Sequence, residues 1–337
     1  MRLHGRRLIA IVGIVLALMV ALVPGARGVM AQATPAASPV ASPVAGGGID
    51  AATHWLIGQQ NADGSFMGFS GKPDAGTTVD ALTALAAARD AGVDVGNAID
   101  QAVAYLKSGD VALVYTQTGV GQSAKLALGL VVAGVDPKGF ASVTPIAIVE
   151  HGQNPETGIY GGGFYDHALS ILALIATGND VPASALDAIQ QGQAANGGWA
   201  FDGSTDDANV DGNTTSMVLQ ALVAMGEGKS DLATRGAAYL KATVTDGGAS
   251  YNAAEGSLPD ANSTALAIQG LLAVGEDVAP LNAALATFQN ADGSFFYQAA
   301  TPDPNLLATV QAIPALAALP FPITPAAAQS STLALAA

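Results

Sequence analysis

The sequence predicts an all-α fold, a single α6/α6 toroid of six inner and six outer helices. Three observations predict it. A turn running from Gln through Asn/Asp-Gly to an aromatic recurs along the chain. An Asp- or Asn-headed, Ala/Leu-rich helix follows each turn at a near-constant period. Between these helices lie others with one polar face. The chain has 337 residues, half of them hydrophobic and 12% charged. That is too long for one ordinary compact core unless the fold is a barrel or a repeat.

Residues 1–33 read as an export signal. Arg2, Arg6 and Arg7 precede an uncharged apolar run, Leu8 to Val23, and Ala31-Gln32-Ala33 fits a small-x-small cleavage site. The run is short for a membrane span, so an uncleaved anchor is the lesser reading. Residues 34–48, rich in Pro, Ala, Ser and Gly, read as a linker, 49–320 as the toroid, and 321–337 as a disordered tail. The expected location is extracytoplasmic, either secreted or at the cell surface. The first 33 residues hold four of the twelve Lys and Arg and no acid. The remainder therefore has eight basic and 27 acidic residues, a net charge of −19. Such a surface repels nucleic acid and anionic lipid. With no cysteine, no thiolate is available as nucleophile or metal ligand.

The turns are QQNADGSFMG from Gln59, GQAANGGWAF from Gly192 and FQNADGSFFY from Phe288. Looser copies begin at Gln153 and Thr245. The helices that follow align on Thr77, Ser123, His167, Thr214, Thr264 and Leu307, spaced 46, 44, 47, 50 and 43 residues apart. They are apolar nearly all round, as buried helices are, and each opens on a capping residue. The polar-faced helices are expected at 50–60, 97–107, 139–151, 183–194, 231–243 and 280–290. An inner barrel wrapped by an outer ring buries both sets and leaves no exposed ends.

The Gln-x-x-Asp-Gly-Ser-Phe turns resemble the QW-type repeats of squalene and hopene cyclases. The Asp-x-x-Thr-Thr helix starts resemble the inner-barrel starts of the same proteins. The resemblance covers roughly 49–320. It implies the α/α toroid shared by terpenoid cyclases, protein prenyltransferase β-subunits and the cobalamin-binding domain of intrinsic factor and transcobalamin. It also implies a hydrophobic, isoprenoid-like ligand or a cobalamin-like one; no cofactor is otherwise expected. A squalene-type cyclase protonates an alkene with a D-x-D-D-T-A motif. Here its three acidic positions read Val210, Gly212 and Asn213 in one copy, and Asp260, Asn262 and Ser263 in the other. The carboxylate cluster that would make so strong an acid is missing. A prenyltransferase zinc site is unsupported, since cysteine is absent and the histidines are scattered.

A carbohydrate-active toroid needs two opposed carboxylates. Asp74, Asp166, Asp211, Asp260 and Asp303 recur at inner-helix starts, where capping is the plainer role. Asp166, His167 and Asp260 are the candidates for acid-base work, although a packed core residue is the plainer reading of His167. Inner helices running parallel bring their N-termini to one end, so that end is where a ligand is expected. Tyr115, Tyr160, Tyr165 and Tyr251 lie outside the strict turn motif and are expected to line the pocket with Asp211, Asn213, Asp260 and Asn262. Phe66, Trp199 and Phe295 lie within it and read as plugs between repeats. The resulting expectation is an exported, non-catalytic ligand-binding or interaction toroid. A divergent enzyme and a structural surface module remain the alternatives.

Overall fold

The structure, a computed structural model, describes residues 48–323. The expected signal and the linker up to residue 47 fall outside the described residues; Gly48, read as the linker's last residue, instead opens the first helix. Thirteen α-helices follow in order: α1 Gly48–Gly58, α2 Ala75–Asp90, α3 Ala98–Lys107, α4 Val111–Thr116, α5 Val120–Val132, α6 Pro145–Glu150, α7 Phe164–Ala176, α8 Ala183–Gly192, α9 Gly212–Ala224, α10 Asp231–Ala242, α11 Ala261–Ala273, α12 Ala279–Ala286 and α13 Leu306–Leu316.

Helices α2, α5, α7, α9, α11 and α13 form the inner barrel. Each packs on the next, and α13 packs back on α2, which closes the ring. Helices α1, α3, α6, α8, α10 and α12 lie outside them. The predicted six-plus-six arrangement is therefore present. The sequence reading missed only α4, a short helix inside the connection between α3 and α5. Three connections also carry two-residue antiparallel pairs: β1 Phe66–Met67 with β2 Pro73–Asp74, β3 Trp199–Ala200 with β4 Val210–Asp211, and β5 Val244–Thr245 with β6 Gly248–Ala249.

Small residues let the inner helices approach closely. A Cβ on Gly270 would stand 2.6 Å from the Ser216 hydroxyl, and Ser216 Oγ donates to the Leu266 carbonyl across the α9–α11 contact. The core lies between the two rings and contains Leu56, Phe66, Leu82, Leu126, Phe164, Trp199 and Phe295, all at most 1% exposed.

A glutamine clip joins successive repeats. Gln60 Nε2 donates to Gly64 O in its own turn and to Ala98 O at the start of α3. Gln193 does the same with Gly197 O and Leu232 O. Gln289 donates to Gly293 O and to Gly48 O, while its Oε1 accepts from Gly48 N at 2.6 Å. This last clip ties the final turn to the first helix. Gly293 sits at φ +94°, where a side chain is strained, and a Cβ there would stand 2.3 Å from Ala51 O.

The chain does not leave the fold at residue 320, as the sequence reading expected. After α13 it bonds to two inner helices. Gln269 Nε2 donates to Leu319 O at 3.1 Å, and Phe321 N donates to Gln220 Oε1 at 2.7 Å. Ile323 is 4% exposed. The fold thus includes at least Phe321, Pro322 and Ile323.

Candidate functional site

The inner-helix N-termini converge at one end, which receives all six outer-to-inner connections. This mouth is where the sequence places its candidate residues. Of the five acids that recur at inner-helix starts, three are occupied in capping. Asp74 Oδ1 accepts from Thr77 N at 2.7 Å. Asp211 Oδ1 accepts from Thr214 N at 2.7 Å, and its Oδ2 accepts from Phe201 N at 3.2 Å. Asp260 accepts from the backbone and the hydroxyl of Ser263, each at 2.8 Å. In the last repeat the cap is Asn305, not Asp303. Asp211 and Asp260 are almost wholly buried. Burial pushes the Asp211 carboxyl up to about 6, against the hydrogen bonds it accepts, and raises Asp260 likewise. Asp166 is no cap; its Oδ2 accepts from Gly162 N at 3.1 Å, and burial raises it too.

The structure corrects the reading of His167 as an acid-base candidate. In four repeats a threonine hydroxyl accepts from the N–H of the turn and donates to the capping residue's carbonyl. Thr78 serves Phe66, Thr215 serves Trp199, Thr264 serves Ala249 and Thr309 serves Phe295, at 2.9–3.1 Å. In the third repeat His167 Nδ1 accepts from Tyr160 N at 3.0 Å, and its Nε2 meets Ala185 O at 3.0 Å. A ring that accepts at Nδ1 carries its proton at Nε2, so it donates to Ala185. Its side chain is fully buried, and burial lowers its pKa to about 4. His167 is a neutral pin under the turn.

Tyr160 is corrected with it. It is 1% exposed and stacks on His167 at 5.7 Å, in the position Phe66 and Trp199 fill elsewhere. It is a plug between repeats and does not line the mouth. The repeat register is also corrected: the equivalent residues are Thr78, Ser123, His167, Thr215, Thr264 and Thr309, where the sequence alignment used Thr77, Thr214 and Leu307.

Of Tyr115, Tyr165 and Tyr251, one faces the bore. Tyr165 lines the bore, its ring 6.2 Å from that of Phe201. The Tyr115 ring covers Gly76 at the start of α2. Burial raises both phenols to about 12. Tyr251 is 48% exposed. Asn262 donates to Gln311 at 2.7 Å, while its Oδ1, Asn213 Oδ1 and Thr214 Oγ1 have no hydrogen-bond partner.

Sequence reasoning missed the polar floor of the mouth. Asp80 and Lys125 occupy equivalent positions, two residues past the pins Thr78 and Ser123. Lys125 Nζ lies 2.6 Å from Asp80 Oδ1, and the two side chains keep 32% and 25% exposure through the bore. Burial alone would lower the Lys125 pKa, but the Asp80 carboxylate outweighs it and holds the ammonium above its ordinary value. Burial raises Asp80 despite Lys125. Each is a charge within an apolar stretch of its helix, a signal visible in TTVDALTAL and QSAKLALGL. Around them Leu169, Met217, Leu266, Gln311 and Phe321 narrow the bore to a cavity of about 70 Å³. That holds a handful of waters, since one water needs about 10–15 Å³ of such space. An isoprenoid or a corrin ring does not fit inside it. Among the described residues no cluster of metal-ligating side chains occurs.

The ring is shared with proteins of unlike chemistry. A variant of the type II terpene cyclase MstE from Scytonema, solved with geranylgeranyl dihydroxybenzoate, aligns at TM-score 0.58 and 17% identity. The alignment covers 80% of this chain and 95% of that one. The α-1,6-mannanase GH76A of Salegentibacter sp. HEL1_6 aligns at TM-score 0.59 and 11% identity, over 80% and 97% of the two chains. This is an α/α toroid. No protein-family model matches the sequence, and no curated protein does. At these identities the likeness fixes the fold and leaves the activity to the site.

Proposed function

We propose that this is an exported, non-catalytic binding toroid whose working surface is the mouth of the ring. The observation that carries this reading is the engagement of the groups that would do chemistry. Asp211 and Asp260 have their oxygens on backbone and hydroxyl donors, His167 has both nitrogens committed, and the bore is too small for a terpenoid. A general acid must reach the proton acceptor of its substrate, and a carboxylate 1–2% exposed does not. The mouth, in contrast, displays the accessible aromatics Phe69, Phe201 and Tyr251, the usual makings of a recognition surface.

The test is turnover. The mature chain is incubated with geranylgeranyl dihydroxybenzoate and with α-1,6-mannotriose, and the products are read by mass spectrometry. Both compounds are expected unchanged. Conversion of either that disappears in Asp166→Asn or Asp260→Asn would show a catalytic mouth and overturn the reading.

A further inference from the structure

We infer that the mouth docks an extended, basic peptide segment carrying apolar side chains. This rests on the binding reading above and names the partner chemistry. The charge of the molecule is unevenly placed. The six outer-to-inner connections, at 59–74, 108–119, 151–163, 193–211, 243–260 and 287–305, hold thirteen acids and one base, Lys72. The five inner-to-outer connections at the other end hold six acids and two bases.

The same end carries the exposed apolar surface. Of seven large hydrophobic side chains exposed among the described residues, six lie on the mouth connections. Phe69 is 80% exposed, Leu258 65%, Phe201 54% and Tyr251 48%, and Met67 and Val114 complete the six. None lies on the connections of the opposite end.

Aromatics and acids alternate in register around part of the rim. The carbonyls of Tyr251 and Tyr297 accept from the first N–H of α9 and α11, at 2.7 and 2.9 Å. The Phe201 carbonyl lies against Gly163 at the start of α7. Phe201, Tyr251 and Tyr297 thus stand on the rim beside the starts of α7, α9 and α11. The same connections carry the exposed carboxylates Asp202 and Glu255, and an aromatic face beside a carboxylate suits an ammonium or guanidinium group. A second observation also asks for a donor. Asn262, 7% exposed, leaves its Oδ1 unpartnered at this mouth.

Neighbouring helices stand about 8–10 Å apart, so these three repeats span about 20 Å. An extended peptide covers that with about six residues at about 3.3 Å each. Such a segment presents cations to the acids and apolar side chains to Phe201 and Leu258, whereas a polyamine meets only the acids.

The experiment is fluorescence anisotropy on the mature chain with a labelled octapeptide of alternating Arg and Leu, against its Glu-Leu counterpart and against spermine. The Arg-Leu peptide is expected to bind and the Glu-Leu peptide is not. Phe201→Ala and Tyr251→Ala are each expected to weaken binding about fivefold, with the melting temperature unchanged because both side chains are half exposed. Asp202→Asn with Glu255→Gln is expected to weaken it further at low salt and little at high salt. No binding of the Arg-Leu peptide at 1 mM, or unchanged affinity in the Phe201→Ala/Tyr251→Ala double variant, overturns the inference. Spermine matching the peptide, with the same sensitivity to both variants, overturns the peptide as occupant. Peptide failure with both turnover substrates unchanged removes this inference alone; turnover removes the reading beneath it.

Discussion

Where four repeats place a threonine hydroxyl beneath the turn, the third places an imidazole, and His167 satisfies two backbone groups that lie too far apart for one hydroxyl. His167→Thr keeps the acceptor for Tyr160 N and loses the donor to Ala185 O. His167→Ala loses both, and is expected to cost about 3 kcal/mol in denaturant unfolding, against about 1 for the threonine. The pH dependence follows from the same burial. The unfolded chain takes up the histidine proton below 6.5, and the folded chain takes it up only below about 4. The His167 contribution is therefore complete above pH 6.5 and is lost as pH falls toward 4, by up to about 3 kcal/mol. Asp211 works in the opposite sense. Its folded carboxyl titrates near 6 instead of 3.8, so its contribution is present below pH 3.8 and is lost as pH rises through 6. Unfolding of the parent, His167→Thr and Asp211→Asn between pH 4 and 7 checks both. Relative to the parent, His167→Thr should flatten the loss on acidification, and Asp211→Asn should steepen it.

At the level of the element, the repeat is a helix pair plus a clipped turn. The glutamine clip, the left-handed glycine and the pinned aromatic act together, and each joins residues that are either close in sequence or one outer helix away. That is why the turns were legible: Gln60, Gly64 and Phe66 recur at fixed spacing as Gln193, Gly197 and Trp199, and as Gln289, Gly293 and Phe295. The register within the helix was less legible. Thr77-Thr78, Thr214-Thr215 and Ser263-Thr264 offer two hydroxyls each, and only the helix phase decides which one faces the turn. The Asp80–Lys125 pair joins residues 45 apart, so no local pattern announces it, although a charge inside an apolar stretch of each helix was its trace. Phe321 was hidden by its Pro-rich surroundings; its partner Gln220, and Gln269, which holds Leu319, are buried amides in Ala/Leu helices. Gln289→Ala removes three hydrogen bonds, two of them to Gly48. It is expected to destabilise by about 2 kcal/mol. Gln60→Ala, which breaks an equivalent clip away from the seam, is the control in the same urea titration.

At the scale of the molecule, the ring turns a local repeat into one continuous wall. Each helix pair covers its apolar sides only against neighbours, so the first and last pairs depend on meeting. They meet where α13 packs on α1 and α2 and where Gln289 holds Gly48. Closure also fixes the mouth, since the connections that carry the aromatics and acids are positioned by helices locked all the way round. The bore contributes less: its own side chains and Phe321 fill it to about 70 Å³. The central claim is a closed ring that holds one face rigid for recognition. Hydrogen exchange by mass spectrometry on the mature chain tests it most directly, by comparing the seam helices Gly48–Gly58 and Leu306–Leu316 with Phe164–Ala176 and Gly212–Ala224 opposite. The closed ring predicts that Leu306–Leu316 exchanges as slowly as the two opposite inner helices, and that Gly48–Gly58 opens no faster than the other outer helices. Seam helices exchanging orders of magnitude faster than the rest would mean an open ring and contradict the account.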